Sequence, residues 1–302
     1  MNAPDGELRL DALTGEWVNI VGHRQARPNL PDAGCPFCVG GLEAPEPYDV
    51  RWFENRWPAY STGAPLDVGD EMRVPAVGAC EVVLFSPEHD ASLSTLGVAQ
   101  VRKVVDLWAD RTAALLARPE VEYVLVFENR GREVGATIQH PHGQIYAYPF
   151  VPPAPAREAN IARSQGCSLC HDIPASLVVA TAGDWAAWVP FASSYAYGLL
   201  IAPRAHVPSL AALDDQARDD LAALLVDVLG RYDRLWDAPF PYLLWFHQAA
   251  AGGGDEWHLH AHTAPPFRAP GVPRFVASGE LGSGTLSNPI IPEDAAAQLR
   301  NA

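Results

Sequence analysis

Several features typical of membrane or nucleic-acid-binding proteins are missing from this sequence. The 302-residue chain has 21 basic residues against 36 acidic ones, a formal net charge of −15. Such a surplus of negative charge repels nucleic-acid backbones and anionic lipids, so phosphate can be bound only by a few locally placed basic groups. A run of about eighteen apolar residues, as a membrane-spanning helix requires, does not occur. We therefore expect a cytoplasmic protein with no membrane and no nucleic-acid partner.

Cysteine is scarce, and its spacing argues against a disulfide framework. Four of the five cysteines form two Cys-x-x-Cys pairs, Cys35/Cys38 and Cys167/Cys170. In a reducing compartment such pairs indicate metal sites more readily than disulfides. A thioredoxin-type redox pair is the alternative, but it needs a preceding strand and a helix that starts at the motif, whereas glycines flank the first pair. The fifth cysteine, Cys80, lies in a strand-like run and is expected to be a buried core thiol.

The two halves of the chain repeat one order of motifs. Each half has a Cys-x-x-Cys pair, a histidine after a proline, a long amphipathic segment, a strand-like run and then alternating histidines. The spacing agrees as well, because His140 follows His89 by 51 positions and His258 follows His206 by 52. Duplication of an ancestral unit followed by divergence explains this pattern.

The hydrophobic pattern predicts an α+β fold. Apolar residues recur every three or four positions near 97–117 and 214–235, which is typical of helices. Aromatic and β-branched runs that begin at Tyr123 and Tyr242 predict strands. Short strands outnumber helices and the connections are rich in Pro and Gly, so a largely antiparallel sheet with flanking helices is expected.

A proline-rich stretch divides the two halves. Residues 151–155 contain three prolines and are interpreted as a linker. The predicted domains are therefore an N-terminal catalytic half, 1–158, and a C-terminal half, 159–302.

The first Cys-x-x-Cys pair predicts a zinc site. Two thiolates and two imidazoles satisfy a tetrahedral zinc ion with a closed shell, which is the usual structural arrangement. The candidate ligands are Cys35, Cys38, His89 and His140. The duplication gives a possible further zinc site, formed by Cys167, Cys170, His206 and His258. The alternative for either set is that its histidines are ordinary surface or core residues.

The segment His140-Pro141-His142-Gly143-Gln144 predicts phosphoryl chemistry. In a strand, residues two apart share a face, so the two histidines and Gln144 can line one surface, with Gly143 leaving room for a ligand. An imidazole can attack phosphorus, and an amide can donate to a phosphoryl oxygen. In the alternative, His89, His140 and His142 all bind a metal, which would form a hydrolytic or oxygen-activating centre.

A second histidine cluster lies near the C-terminus. His258, His260 and His262 alternate, and together with His247 they could hold a different kind of metal with a carboxylate. Glu158 is a candidate, although the residues alone do not single it out. A solvated histidine patch is the alternative.

Nearly the whole chain resembles the galactose-1-phosphate uridylyltransferases, the transferase branch of the histidine-triad superfamily. The most specific match joins Phe127-Glu128-Asn129-Arg130-Gly131 to the His140–Gln144 motif. Further matching segments are 14–18, 23–28, 35–38, 54–56 and 85–89. The resemblance implies a fold of two duplicated histidine-triad-like halves.

The resemblance also implies a ping-pong reaction. His142 would take the uridylyl group from UDP-glucose and pass it to galactose 1-phosphate, and Gln144 would steady the phosphoryl group. The other substrate-binding residues implied are Arg24, Arg27, Asn55, Asn129, Thr137 and Glu280. Arg24 and Arg27 would reach a nucleotide bound at the neighbouring subunit, which predicts a homodimer.

The family pattern places a second metal, zinc or iron, on Glu158, His247, His260 and His262. Gly279 stands where a tyrosine that contacts hexose is often found, so the identity of the sugar is open. The alternatives are a relative that transfers adenylyl groups, such as a nucleotide-sugar phosphorylase, a histidine-triad hydrolase, and a zinc-stabilised interaction module. Gln144 argues against hydrolysis, because a neutral amide cannot protonate a leaving group.

Overall fold

A nine-stranded antiparallel sheet forms the centre of the fold. The computed structural model describes residues 6–26, 34–62 and 71–302. The strands are β1 Glu7–Leu10, β2 Trp17–Ile20, β3 Arg51–Glu54, β4 Arg73–Pro75, β5 Ala79–Leu84, β6 Tyr123–Arg130, β7 His142–Tyr148, β8 Val178–Ala182, β9 Trp185–Trp188, β10 Leu200–Pro203, β11 Tyr242–His247, β12 His260–Ala264, β13 Phe267–Ala269 and β14 Val272–Pro273. The helices are α1 Val98–Leu116, α2 Pro153–Gln165, α3 Asp215–Leu235, α4 Ser278–Ser283 and α5 Pro292–Asn301.

The order of the strands has a two-fold pattern. The large sheet runs β3-β5-β7-β6-β11-β12-β10-β9-β8, and β6 pairs antiparallel with β11 at its centre. Outward from this central pair, β7, β5 and β3 of the first half correspond to β12, β10 and β9 of the second. The predicted α+β fold with duplicated halves and an antiparallel sheet is confirmed.

The two long helices pack on one face of this sheet. In α1 the buried residues recur at helical spacing, as in Val101, Val105 and Trp108. The ring of Trp108 lies 5.4 Å from that of Phe246 on β11, so a side chain of the first half packs directly on the second. One hydrophobic core therefore serves both halves. Within the described ranges, none of the helices has both the length and the apolar character needed to cross a membrane.

The connection between the halves is partly helical. Helix α2 begins at Pro153, inside the stretch interpreted as a linker, and proline is well tolerated in the first turn of a helix. The predicted domain boundary between residues 158 and 159 falls within this helix and stays a prediction.

Alternation along β7 places the candidate site on the other face of the sheet. Ile145 and Ala147 are buried in the core beneath the helices, whereas His142 and Gln144 are half-buried and point the opposite way. Cys80 on β5 is a buried thiol, as expected, and burial raises its pKa to about 11.

Candidate active site and metal-binding clusters

The four side chains predicted for the first zinc site lie together. The ligand atoms of Cys35, Cys38, His89 and His140 all lie within 4.8 Å of one another. Cys38 Sγ is 3.4 Å from His89 Nδ1 and 3.6 Å from His140 Nδ1. Burial lowers the pKa of His140, which favours the neutral imidazole that a metal ligand must be. The cluster therefore has the donor set of a soft, tetrahedral metal ion.

Hydrogen bonds fix the ring of His140. Its Nε2 lies 2.8 Å from the carbonyl oxygen of Ser86 and 2.8 Å from the hydroxyl of Tyr48. Because a carbonyl can only accept, Nε2 carries the proton and the lone pair of Nδ1 faces the cysteines. The Tyr48 hydroxyl also lies 2.8 Å from the carbonyl oxygen of Phe37. Sequence reasoning missed Tyr48, because a single tyrosine outside any motif carries no spacing signal.

His142 begins strand β7, and contacts with His140 and Phe37 orient its ring. Its Nδ1 lies 2.7 Å from the carbonyl oxygen of His140 and donates to it, which leaves the lone pair on Nε2. The ring of Phe37, between the two cysteines, meets the ring of His142 edge to face at 5.0 Å between centroids. Both contacts come from residues that belong to the metal cluster or its loop.

Two predictions made from the sequence for the start of β7 are wrong. His140 does not lie on the strand with His142, since Pro141 intervenes and the His140 ring is fully buried. Gly143 does not leave room for a ligand. A Cβ atom there would come within 2.9 Å of Phe85 Cζ and 2.9 Å of the Phe127 carbonyl oxygen, so the space is already filled and glycine is needed for packing.

A cavity of about 590 Å³ opens beside His142, within the range of pockets that hold small-molecule ligands. Its lining includes His89, His140, His142, Asn129, Glu128, Arg130, Arg132, Arg234 and Asp233. Arg132 and Arg234 can offset part of the charge of a phosphate group, whereas Arg130 is paired with Asp233. Of the predicted substrate-binding residues, Asn129 lies in this lining, and Thr137 lies between two lining residues, Ala136 and Ile138.

A buried polar network adjoins the cavity where the two halves meet. Burial raises the pKa of Glu128 to about 7, and its Oε2 accepts a hydrogen bond of 2.9 Å from Tyr242. Arg130 Nη1 lies 2.8 Å from Asp233 Oδ1, which ties β6 to α3. Glu128 and Arg130 belong to the motif quoted from the sequence, but their pairing across the halves carried no sequence signal.

Three further residues predicted to bind substrate have partners within this chain. The side-chain oxygen of Asn55 accepts from the Trp57 backbone at 2.9 Å. Glu280 accepts from the Ala277 and Ser287 backbones and pairs with Arg274. Arg24 Nη1 lies 3.4 Å from the hydroxyl of Tyr146, on the same face of β7 as His142. Arg27 lies outside the described residues.

The second Cys-x-x-Cys pair forms a matching cluster. Cys167, Cys170, His206 and His258 also lie with their ligand atoms within 4.8 Å. His258 Nδ1 is 3.3 Å from Cys167 Sγ, and His206 Nδ1 is 3.3 Å from Cys170 Sγ. Burial, together with the neighbouring His206, lowers the pKa of His258 to about 4, so its imidazole is neutral.

A third cluster joins Glu158 of α2 to three histidines. The Glu158 carboxylate lies 2.6 Å from His247 Nδ1, 3.3 Å from His260 Nε2 and 3.6 Å from His262 Nε2. Burial opposes ionisation of Glu158, but the neighbouring imidazoles of His247 and His260 outweigh burial and lower the pKa of the carboxyl. The buried Nε2 of His262 has no hydrogen-bond partner among the described residues, which is the environment expected where a cation binds.

Comparison with known proteins identifies the family. The sequence model described as "Galactose-1-phosphate uridyl transferase, N-terminal domain" matches residues 44–152, and the corresponding C-terminal domain matches 171–302. The galactose-1-phosphate uridylyltransferase of Thermotoga maritima is 37% identical over 97% of this chain and 98% of its own length. This chain belongs to the galactose-1-phosphate uridylyltransferase family.

Solved structures of uridylyltransferases and their relatives share the fold of this family member. A structure described as a uridylyltransferase superimposes with a TM-score of 0.89 at 30% identity and covers 98% of both chains. The ADP-glucose phosphorylase from Arabidopsis thaliana, with bound ADP-glucose, superimposes with a TM-score of 0.78 at 26% identity and covers 99% of both chains. The same scaffold is thus found in proteins named for two different nucleotides.

Proposed function

We propose that this member of the uridylyltransferase family exchanges a uridylyl group between UDP-glucose and galactose 1-phosphate. The observation that carries the proposal is the 2.7 Å hydrogen bond from His142 Nδ1 to the His140 carbonyl. It holds the ring in the tautomer whose Nε2 can act as a nucleophile. The name of the Thermotoga maritima relative, galactose-1-phosphate uridylyltransferase, supports the choice of acceptor and of the transferred group.

The reaction proceeds in two displacements at the α-phosphorus. His142 Nε2 forms a bond to phosphorus as the bond to the glucose 1-phosphate oxygen breaks, and glucose 1-phosphate leaves as an anion. A phosphate oxygen of galactose 1-phosphate then attacks the same phosphorus, and the P–N bond breaks to give UDP-galactose. The Nδ1 proton stays on His142 throughout, and the His140 carbonyl stabilises the positive charge on the ring.

Gln144 is proposed to hold the phosphoryl group during both displacements. Two residues along β7 from His142, it points to the same face, about 7 Å away along the strand. Its amide can donate to a phosphoryl oxygen. Because a sugar phosphate leaves readily as an anion, no acid is needed at this position.

The clusters are proposed to bind metal ions. Zinc fits Cys35, Cys38, His89 and His140, because two thiolates and two imidazoles are its preferred structural set, and Cys167, Cys170, His206 and His258 form the same set. Zinc or iron fits the third cluster, where nitrogen and oxygen donors combine. When bound at the first cluster, zinc supplies rigidity, and the His140 and Phe37 contacts pass that rigidity to His142.

The remaining assignments are proposals about assembly. We propose a homodimer in which Arg24 and Arg27 reach the nucleotide of the neighbouring subunit and Asn55 lies near it.

Asn129 and Thr137 would contact the phosphates and Glu280 the hexose. The halves 1–158 and 159–302 are proposed to be the duplicated units, consistent with the two-fold strand order.

An isotope-exchange assay tests the proposal. The protein is mixed with UDP-glucose and labelled glucose 1-phosphate, without galactose 1-phosphate, and labelled UDP-glucose is measured. We expect rapid exchange, because the first displacement is reversible on its own. His142→Gly should abolish it, whereas His171→Gly, at an exposed histidine outside the three clusters, should not. Exchange with ADP-glucose alone would favour the adenylyl relative, and no exchange with either donor would contradict the two-step mechanism.

A further inference from the structure

Two histidines of the third cluster, His260 and His262, occupy positions in the second half that correspond to the proposed catalytic residues of the first half. Gln144 on β7 pairs with Phe127 on β6, and His262 on β12 pairs with Trp245 on β11. Two residues earlier, His142 begins β7 and His260 begins β12. His260 is therefore the counterpart of His142.

The hydrogen bonds that hold these two histidines are the same in both halves. The distance from His260 Nδ1 to the His258 carbonyl oxygen is 2.7 Å, equal to that from His142 Nδ1 to the His140 carbonyl oxygen. The ring of the preceding histidine is also held alike, since His258 Nε2 lies 2.9 Å from the Pro203 carbonyl and His140 Nε2 lies 2.8 Å from the Ser86 carbonyl. In each half, the last histidine of the thiolate cluster thus orients, through its backbone carbonyl, the ring of the histidine two residues later.

In the second half, the atom that corresponds to His142 Nε2 lies beside a carboxylate. Since His260 Nδ1 donates to a carbonyl, Nε2 holds a lone pair, and it faces the Glu158 carboxylate at 3.3 Å. Two acceptors at this distance repel one another unless a cation or a proton lies between them. The orientation of His260 therefore matters for ion binding at the third cluster.

The cluster of Cys167, Cys170, His206 and His258 is also connected to Glu158, through helix α2. Glu158 lies in this helix, which ends at Gln165, and Cys167 follows two residues later. Only Pro155 and Ala159 of α2 are buried, so packing alone holds the helix weakly. An ion at the cysteines would fix the end of α2 as well as the His258 carbonyl.

We infer that the ion at Cys167, Cys170, His206 and His258 supports the binding of a second ion at Glu158, His247, His260 and His262. It does so by fixing two of the four ligands, His260 through the His258 carbonyl and Glu158 through the end of α2. Partners that orient a metal ligand typically change metal affinity by about 10- to 100-fold. The inference rests on the metal ligation proposed above but not on the transferase activity.

Metal titration of the double variant Cys167→Ser/Cys170→Ser tests this inference. Protein carrying zinc at its thiolate clusters is titrated with Co²⁺, and the cobalt d–d absorption without thiolate charge transfer reports the nitrogen and oxygen site. We expect the variant to contain one zinc ion fewer and to bind Co²⁺ about 10- to 100-fold more weakly. Cys38→Ser is the matched control, because it removes a thiolate from the first half and should leave the affinity for Co²⁺ unchanged.

Failure of the coupling between the two ions and failure of the proposed metal ligation would give different results. Loss of the zinc ion with Co²⁺ affinity unchanged within about twofold would overturn the coupling. An unchanged zinc content would overturn the proposed ligation at these cysteines, and the inference with it. If the double variant does not fold, His206→Gln removes an exposed ligand of the same cluster and is measured in the same way, with the same two outcomes.

Discussion

The Nδ1 atom of His142 lies 2.7 Å from the carbonyl oxygen of His140. This contact joins the proposed nucleophile to a residue whose own ring belongs to a thiolate cluster. The rigidity of the cluster is thereby passed to the reacting ring through one hydrogen bond.

Tyr48→Phe should destabilise the first cluster. The hydroxyl lies 2.8 Å from His140 Nε2 and bonds the carbonyls of Phe37 and Ser86. Its removal leaves the Phe37 carbonyl without this hydrogen bond, which costs about 1–2 kcal/mol of unfolding free energy. Because the hydroxyl no longer supports the His140 ring, zinc affinity should fall by about tenfold or more. Denaturant unfolding and zinc competition measure the two effects. Tyr195→Phe is the control, and equal effects of both substitutions would contradict the role of Tyr48.

Gly143→Ala should destabilise the fold and slow the reaction. The new methyl group would lie 2.9 Å from Phe85 Cζ and 2.9 Å from the Phe127 carbonyl oxygen on β6, so the Phe85 ring and one of the strands β6 and β7 must shift, at a cost of about 1–3 kcal/mol. Because the shift occurs next to His142, the rate of uridylyl transfer should also fall. The control Gly279→Ala has open space around its Cβ position and should change stability by less than about 0.5 kcal/mol. Full stability of Gly143→Ala in thermal unfolding would contradict the packing role.

Asp233→Asn should cost more stability than loss of an exposed ion pair. Asp233 pairs with Arg130 at 2.8 Å, and both side chains are largely buried. Removal of one charge leaves the other unpaired, at a cost of about 3 kcal/mol. Asp219→Asn breaks the exposed pair with Arg102 and should cost less than about 1 kcal/mol. Equal costs in urea unfolding would show that the Arg130 pair is solvated.

Glu128→Gln should change how stability depends on pH. The pKa of Glu128 is about 7 in the folded chain because of burial, against an ordinary value of 4.5. The folded state therefore keeps the proton to higher pH, unfolding releases it, and the wild type loses stability as pH rises from about 4.5 to 7. At about 1.4 kcal/mol for each pH unit between the two pKa values, the loss approaches about 3 kcal/mol.

The amide introduced by Glu128→Gln cannot ionise, so stability of the variant relative to wild type should rise across this pH window. Unfolding free energies measured at several pH values give the difference directly. Parallel profiles for the two proteins would contradict the raised pKa.

Much of the fold follows from local patterns in the sequence. Helical periodicity predicted helices near 97–117 and 214–235, and the structure has them at Val98–Leu116 and Asp215–Leu235. The repeated spacing of cysteines and histidines grouped the side chains that the structure brings together in two clusters. Short-range periodicity and duplication both leave a direct record in the linear sequence.

Contacts between distant segments left no such record. The approach of Tyr48 to His140, the packing of Phe37 on His142 and the filling of the space beside Gly143 by Phe85 each depend on how strands and loops meet. Their cause is tertiary packing, which no local spacing encodes. The same holds for Glu128, whose raised pKa results from burial beside the second half.

Mass spectrometry of the protein after brief incubation with UDP-glucose tests the central claim most directly. We expect an intact mass increased by one uridylyl group, mapped by peptide analysis under non-acidic conditions to His142, and loss of this group when galactose 1-phosphate is added. A uridylyl group on another residue, or release of UMP with no adduct under conditions where UDP-glucose is consumed, would contradict the assignment of His142 as the nucleophile.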